Sequence, residues 1–136
     1  KEELFTVVVE PAYKSMIDLI KVENHLKVNY EEHFEYVEPI LKQFIEICEK
    51  YPREIVIILD RYIGVSNYKL LENLQEVISI RLKQEIPHIN DEQCQMVNYL
   101  ILRGILYILQ NYQPEKFSSE LRSFFIFLFK DIDRRI

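Results

Sequence analysis

The chain has 136 residues, 49% hydrophobic and 29% charged, with a net charge of −5, so it can bury a core of its own and is too apolar for a disordered tail. An acidic balance suits phosphate backbones poorly and argues against nucleic-acid binding by this chain itself. Only Gly64 and Gly104 are glycine, where average usage of about 7% gives about nine or ten; hairpin-rich sheets and glycine-rich phosphate loops are disfavoured, and an all-α fold remains.

About six helices are predicted. The first covers residues 2–23. Its opening run, Phe5-Thr6-Val7-Val8-Val9, suits a strand as well as a helix. From Ala12 onward Tyr13, Met16, Ile17 and Ile20 follow helical spacing, and Pro11 is expected to kink the helix by removing one ladder bond. The second starts near Asn29, where Asn29 and Glu32 have capping-box spacing. It turns Phe34, Val37, Leu41, Phe44, Ile45 and Cys48 inward and is expected to bend or split at Pro39.

Tyr51-Pro52 closes that helix and opens the third, residues 52–62, with proline at a tolerated first-turn position and Gly64 as its stop. Ser66 is placed to cap the fourth, which runs to Gln84 ahead of Pro87. Asn90 with Gln93 caps the fifth, which reaches Asn111. Pro114 opens the sixth, which ends near Arg134. Such short connections suit antiparallel neighbours.

The fifth and sixth helices are apolar on two sides. On the fifth, Cys94, Val97, Ile101, Ile105, Ile108 and Tyr112 form one stripe, while the opposite side reads Met96, Tyr99, Arg103, Leu106, Tyr107 and Gln110. On the sixth, Phe117, Leu121, Phe124, Phe125, Leu128 and Ile132 form the inner stripe, and Ile126 and Phe127 point away from it near Ser119, Ser123 and Lys130. A helix with two apolar sides needs two things to bury against. The simplest second partner is another copy of the chain across a two-fold axis. Gly104 lies between the two stripes of the fifth helix, where a missing side chain lets a neighbour approach at a propensity cost of about 1 kcal/mol relative to alanine.

Chemistry is sparse. His25, His33 and His88 form no metal-binding spacing, no serine lies in a nucleophile elbow, and neither Cys48 nor Cys94 has a neighbouring histidine. No enzyme activity, cofactor or metal is expected. The two isolated cysteines read as reduced, half-buried thiols of a cytoplasmic protein. No apolar run reaches the roughly 18 residues of a membrane span.

Tyr13, Phe34, Tyr36, Tyr62, Tyr68, Tyr99 and Tyr107 fall near the inner sides of the predicted helices. They suit ordinary core packing with hydroxyls at the rim, which is the simpler reading; the sharper alternative is an amphipathic cavity lining, since aromatic walls with a few hydroxyl donors suit a small organic ligand. Arg103 lies between Tyr99 and Tyr107, either as a rim arginine with its head in water or as a counter-ion for an acidic effector.

The opening Lys1-Glu2-Glu3-Leu4-Phe5 resembles the segment that follows the helix-turn-helix in TetR-family transcriptional regulators, where such a run begins the helix linking the DNA-binding and regulatory domains. Tyr51-Pro52-Arg53-Glu54 with the short helix after it resembles the family's middle region. Arg103-Gly104-Ile105 and the aromatic last helix resemble its dimerising end. The resemblance covers essentially the whole chain and implies helix rather than strand at Phe5 to Val9. Pro11 and Pro39 depart from the family, whose helices are often continuous there, and the helix-turn-helix itself is absent from this sequence.

The resemblance implies that residues 1–136 form one C-terminal regulatory domain, which dimerises through a four-helix bundle of the last two helices of each subunit. DNA would be reached only through an N-terminal domain preceding Lys1, a lysine rather than a methionine. A small-molecule effector would enter a cavity between the first five helices, with Tyr13, Met16, Ile20, Phe34, Tyr62, Tyr68, Met96 and Tyr99 expected to line it. Arg103, Leu106, Tyr107, Ser119, Ser123, Ile126 and Phe127 are expected at the homodimer interface. The other reading is a helical adaptor whose second apolar face binds a different protein and which takes no small molecule.

Overall fold

A computed structural model describes the backbone of residues 2–21, 33–60 and 68–135 and the side chains of residues 7–21, 41–60 and 69–129. Among the described residues there are six α-helices and no strand. Helix α1 (Glu2–Lys21) includes Phe5 to Val9 and runs unbroken through Pro11. Val9, Ala12, Met16 and Leu19 are buried at helical spacing, whereas Pro11 lies on the exposed side, where water can serve the carbonyl its ring leaves without a ladder partner. The Ser15 hydroxyl donates to the Pro11 carbonyl at 2.8 Å.

Helix α2 (His33–Lys50) is continuous across Pro39, so the split expected there does not occur. Leu41, Ile45 and Cys48 face the core; the cap at Asn29 and the side chains of Phe34, Tyr36 and Val37 lie outside the described residues. The chain turns sharply at Tyr51, whose N–H donates to the Ile47 carbonyl (2.9 Å) while its own carbonyl accepts from Ile55 (3.0 Å). Helix α3 (Pro52–Leu59) is shorter than predicted. Asp60 leaves it in extended backbone (φ −83°, ψ 102°), as suits a residue that competes for its own backbone hydrogen bonds. Gly64, Ser66 and Tyr62 lie outside the described residues.

Helix α4 (Tyr68–Glu85) ends in a turn pinned by buried Ile86 and Ile89. The cap of helix α5 (Asp91–Asn111) is the predicted one: Gln93 N–H donates to Asn90 Oδ1 at 2.8 Å, and Asn90 N–H donates to Gln93 Oε1 at 2.9 Å. Lys83 pairs with Asp91 across the turn. Their hydrogen bond first, and their charges second, hold Lys83 above and Asp91 below their ordinary pKa values. Pro114 opens a single 3₁₀ turn (Pro114–Lys116) rather than the last helix itself, and helix α6 (Phe117–Arg135) follows it.

Helix α1 packs on α2, α3 and α4, and α5 packs on α3, α4 and α6; α2 closes against α6. The eight-residue α3 lies between α1 and α5, with Ile55 and Ile58 completely buried. The buried arc of α5 is wider than its predicted stripe, because Asn98, Leu102, Leu106 and Leu109 are buried as well. Tyr112, expected on that stripe, is 37% exposed where the helix runs out of neighbours.

Helices α5 and α6 meet closely at Gly104. A Cβ there would run into the tip of the Phe124 ring and stand 2.6 Å from both of its Cε atoms. That ring is half-buried and lies 5.3 Å from the Phe125 ring, so it has little room to retreat. Gly104→Ala is therefore expected to destabilise the native chain by about 1–3 kcal/mol, and Gly104→Leu by more. In a Phe124→Ala background the same Gly104→Ala change should instead stabilise by about 1 kcal/mol through helix propensity. Denaturant unfolding of the four proteins checks this reversal of sign.

Candidate functional site

A half-open cavity of about 140 Å³ lies among the helices. Helix α1 contributes Met16, Leu19 and Ile20, α2 contributes Leu41 and Phe44, and α3 contributes Leu59. The α4 wall is Leu74, Ile78, Arg81, Leu82 and Glu85, continued by Ile86. Ile101, Leu102 and Ile105 of α5 and Phe125 and Phe129 of α6 complete it. The lining is almost wholly hydrocarbon.

Its aromatic side is ordered by ring contacts. Phe125 meets Phe44 edge-on at 5.6 Å and stacks on Phe129 at 5.9 Å with an interplanar angle of 13°, geometries that aromatic pairs prefer. These contacts tie α2 to α6 along one wall.

Arg81 and Glu85, which contribute mainly hydrocarbon to the wall, form an ion pair at its edge. Arg81 Nε stands 3.0 Å from Glu85 Oε1, with the two side chains only 14% and 17% exposed. Arg81 Nη1 also donates to the Ile20 carbonyl at 3.3 Å. That carbonyl belongs to the last turn of α1, where helical carbonyls need partners from outside the helix. The pair therefore joins α4 to the end of α1.

Of the residues expected to line the cavity, Met16 and Ile20 do so. Tyr13 packs half-buried against the core but is not in the wall. Met96 and Tyr99 are 58% and 51% exposed on the outer face of α5, because the arc holding Cys94, Val97 and Ile101 takes the inward side. The side chains of Phe34, Tyr62 and Tyr68 lie outside the described residues. Sequence reasoning missed Arg81 and Glu85, although Leu74, Ile78, Arg81 and Glu85 follow i, i+4, i+7, i+11 spacing. An oppositely charged pair inside an apolar helical arc was the available signal.

A second buried polar group tethers α5 to α4. Asn98 Nδ2 donates to the Gln75 carbonyl (3.0 Å) and to Ser79 Oγ (2.6 Å), and the Cys94 thiol faces the Ser79 carbonyl at 3.6 Å. Asn98 is outside the cavity wall and joins the two helices through its Nδ2, while its Oδ1 is buried without a hydrogen-bond partner among the described residues.

On the outer face, Tyr107 is 59% and Phe127 70% exposed, with Leu100 exposed between them and Met96. Arg103 is exposed, its guanidinium 5.9 Å from the centroid of the Tyr99 ring. It lies away from the cavity and is not placed to serve an acidic group held there. Ser119 and Ser123 are exposed and Ile126 is half-buried. Leu106, expected on this face, is buried within the protomer, since the packed arc of α5 extends past Ile105.

Among the described residues no group of three His, Cys, Asp or Glu side chains could hold a metal, and no helix is long and apolar enough to cross a membrane. Both cysteines are free and buried. Burial first, and the charge of Glu49 second, push the Cys48 thiol far above its ordinary value near 9, so it is not a nucleophile in the folded chain. No family model, curated protein or solved structure matches this sequence.

The Cys48 shift has a pH signature. The unfolded thiol ionises near 9 while the folded one does not, so its contribution to stability is complete below pH 9 and is lost as the pH rises beyond it. Cys48→Ala should flatten the alkaline fall in unfolding free energy by up to about 1.4 kcal/mol per pH unit, measured by urea unfolding between pH 8 and 10.5.

Proposed function

We propose that this chain is the regulatory domain of a TetR-like transcriptional regulator, binding a small-molecule effector in its cavity and dimerising through α5 and α6. The observation that carries the reading is the apolar cavity, whose walls come from all six helices and include the C-terminal part of α1. Ligand sites are commonly concave, mostly apolar and supplied with few polar groups. The exposed stripe Met96, Tyr99, Leu100 and Tyr107, with Phe127 on α6, supports the second half of the reading. It is a row of large apolar side chains on two helices that already pack together, the usual material of a four-helix bundle.

The mechanism is linkage. In the parent protein α1 would lead back to a DNA-binding domain ahead of Lys1, and the dimer would set the spacing of two such domains. An effector that prefers one tilt of α1 shifts the population towards it, and so changes the match to successive half-sites. DNA contact would belong to that preceding domain, in keeping with the net charge of −5 here. The two buried free thiols suit a reducing cytoplasm.

Light scattering tests the assembly. The chain should run at twice its own mass, and Phe127→Glu should give a folded monomer with an unchanged helical circular dichroism spectrum. A Phe127→Glu dimer of unchanged affinity removes α6 from the interface. A monomeric native chain favours the adaptor reading, in which the same stripe binds a different protein.

A further inference from the structure

The wall of the cavity is unequal in length from helix to helix. Its α4 side runs from Leu74 to Glu85, a span of roughly 16 Å at the helical rise of about 1.5 Å per residue. The α1, α5 and α6 sides cover one turn each, from Met16 to Ile20, Ile101 to Ile105 and Phe125 to Phe129. The space is therefore a trough along α4. We propose that it takes the hydrocarbon chain of a single-chain amphiphile, laid along α4 between Ile78, Leu102 and Phe125, while the head group stays in water at the open side. This rests on the effector-binding reading above and names the ligand class for it.

The chemistry of the wall decides against a ligand held by polar contacts. No residue in it carries a hydroxyl or an amide side chain. Its two charged members, Arg81 and Glu85, are paired with each other and present mainly hydrocarbon to the space. A polar group taken inside would give up its water without gaining a partner, and a charged one would lose far more. Because the cavity is half open, a head group can keep its water while the chain goes in.

The shape decides for a chain. A compact molecule leaves part of the α4 arc uncovered, whereas a flexible chain covers it one methylene at a time. Each buried methylene tightens binding about fourfold. The same chain touches Met16 and Ile20 of α1, the helix whose tilt the effector reading requires to respond.

Calorimetric titration of the full chain with butanol, hexanol and octanol tests the proposal. Affinity should rise about fourfold per methylene across the series. At about 0.15 M salt, where surface charge is screened, octanoate and octylammonium should bind within about tenfold of octanol. Ile78→Phe and Leu102→Phe obstruct the trough from different helices, and each should weaken octanol by about tenfold or more, as for the loss of two buried methylenes. An unchanged helical circular dichroism spectrum shows that a variant is folded, and either one decides the site if the other is not.

A gain in affinity that stops at hexanol would overturn the trough along α4 and leave the effector cavity standing. A preference for one head group larger than tenfold would overturn the placement of the head in water in the same way. Octanol binding that survives in the folded variants would put the chain elsewhere and overturn the proposal. Failure of every probe to bind would overturn both the proposal and the effector reading beneath it.

Discussion

The close approach of α5 and α6 at Gly104 sets the geometry of much of the molecule. Because no Cβ stands there, the Phe124 ring lies against the bare backbone of α5. The next residue, Phe125, then reaches the interior, where it meets Phe44 of α2 and Phe129 one turn later. Those rings form the aromatic wall of the cavity. With that arc turned inward, Met96, Tyr99, Tyr107 and Phe127 are left outside.

The cavity lies where helix packing alone leaves a gap. Helix α3 has only eight residues, about two turns, yet it is the shared neighbour of α1 and α5. Ile55 and Ile58 fill the space beside it, and Leu59 at its end reaches the cavity. Empty space of this kind forfeits dispersion contacts and lowers stability. An arginine and a glutamate at its edge add a desolvation cost that their mutual attraction offsets only in part. Both features lower stability. The Asn98 tether is different: its two hydrogen bonds to α4 lock the register of neighbouring helices without touching the cavity.

Under the proposed reading these features divide the labour. The α5–α6 pair would hold two subunits together, and the cavity would hold the effector. The link between Arg81 and the Ile20 carbonyl would carry the state of the cavity to α1. Transmission of this kind needs no long pathway, because the cavity wall and α1 share residues: Met16, Leu19 and Ile20 belong to both.

Much of the local architecture was legible in the sequence because it depends on residues a few positions apart. The capping box of Asn90 and Gln93, the turn at Tyr51-Pro52 and the inward stripe of α6 from Phe117 to Leu128 all involve contacts within one or two turns. Gly104 was likewise readable as a place of close approach. The split allowed for at Pro39 does not occur, and helix α1 likewise continues through Pro11, which lies towards water. Met96 and Tyr99 could not be placed from sequence, since α5 is apolar around most of its circumference and only its neighbours decide which arc is covered. A residue lining a cavity and one filling a core also look alike along the chain, both being apolar and both buried. The sequence by itself determined an all-helical chain with two-sided α5 and α6. Only the tertiary structure decided that Arg81 and Glu85 share a gap with Leu102 and Phe125, because that gap is bounded by six helices that no local pattern brings together.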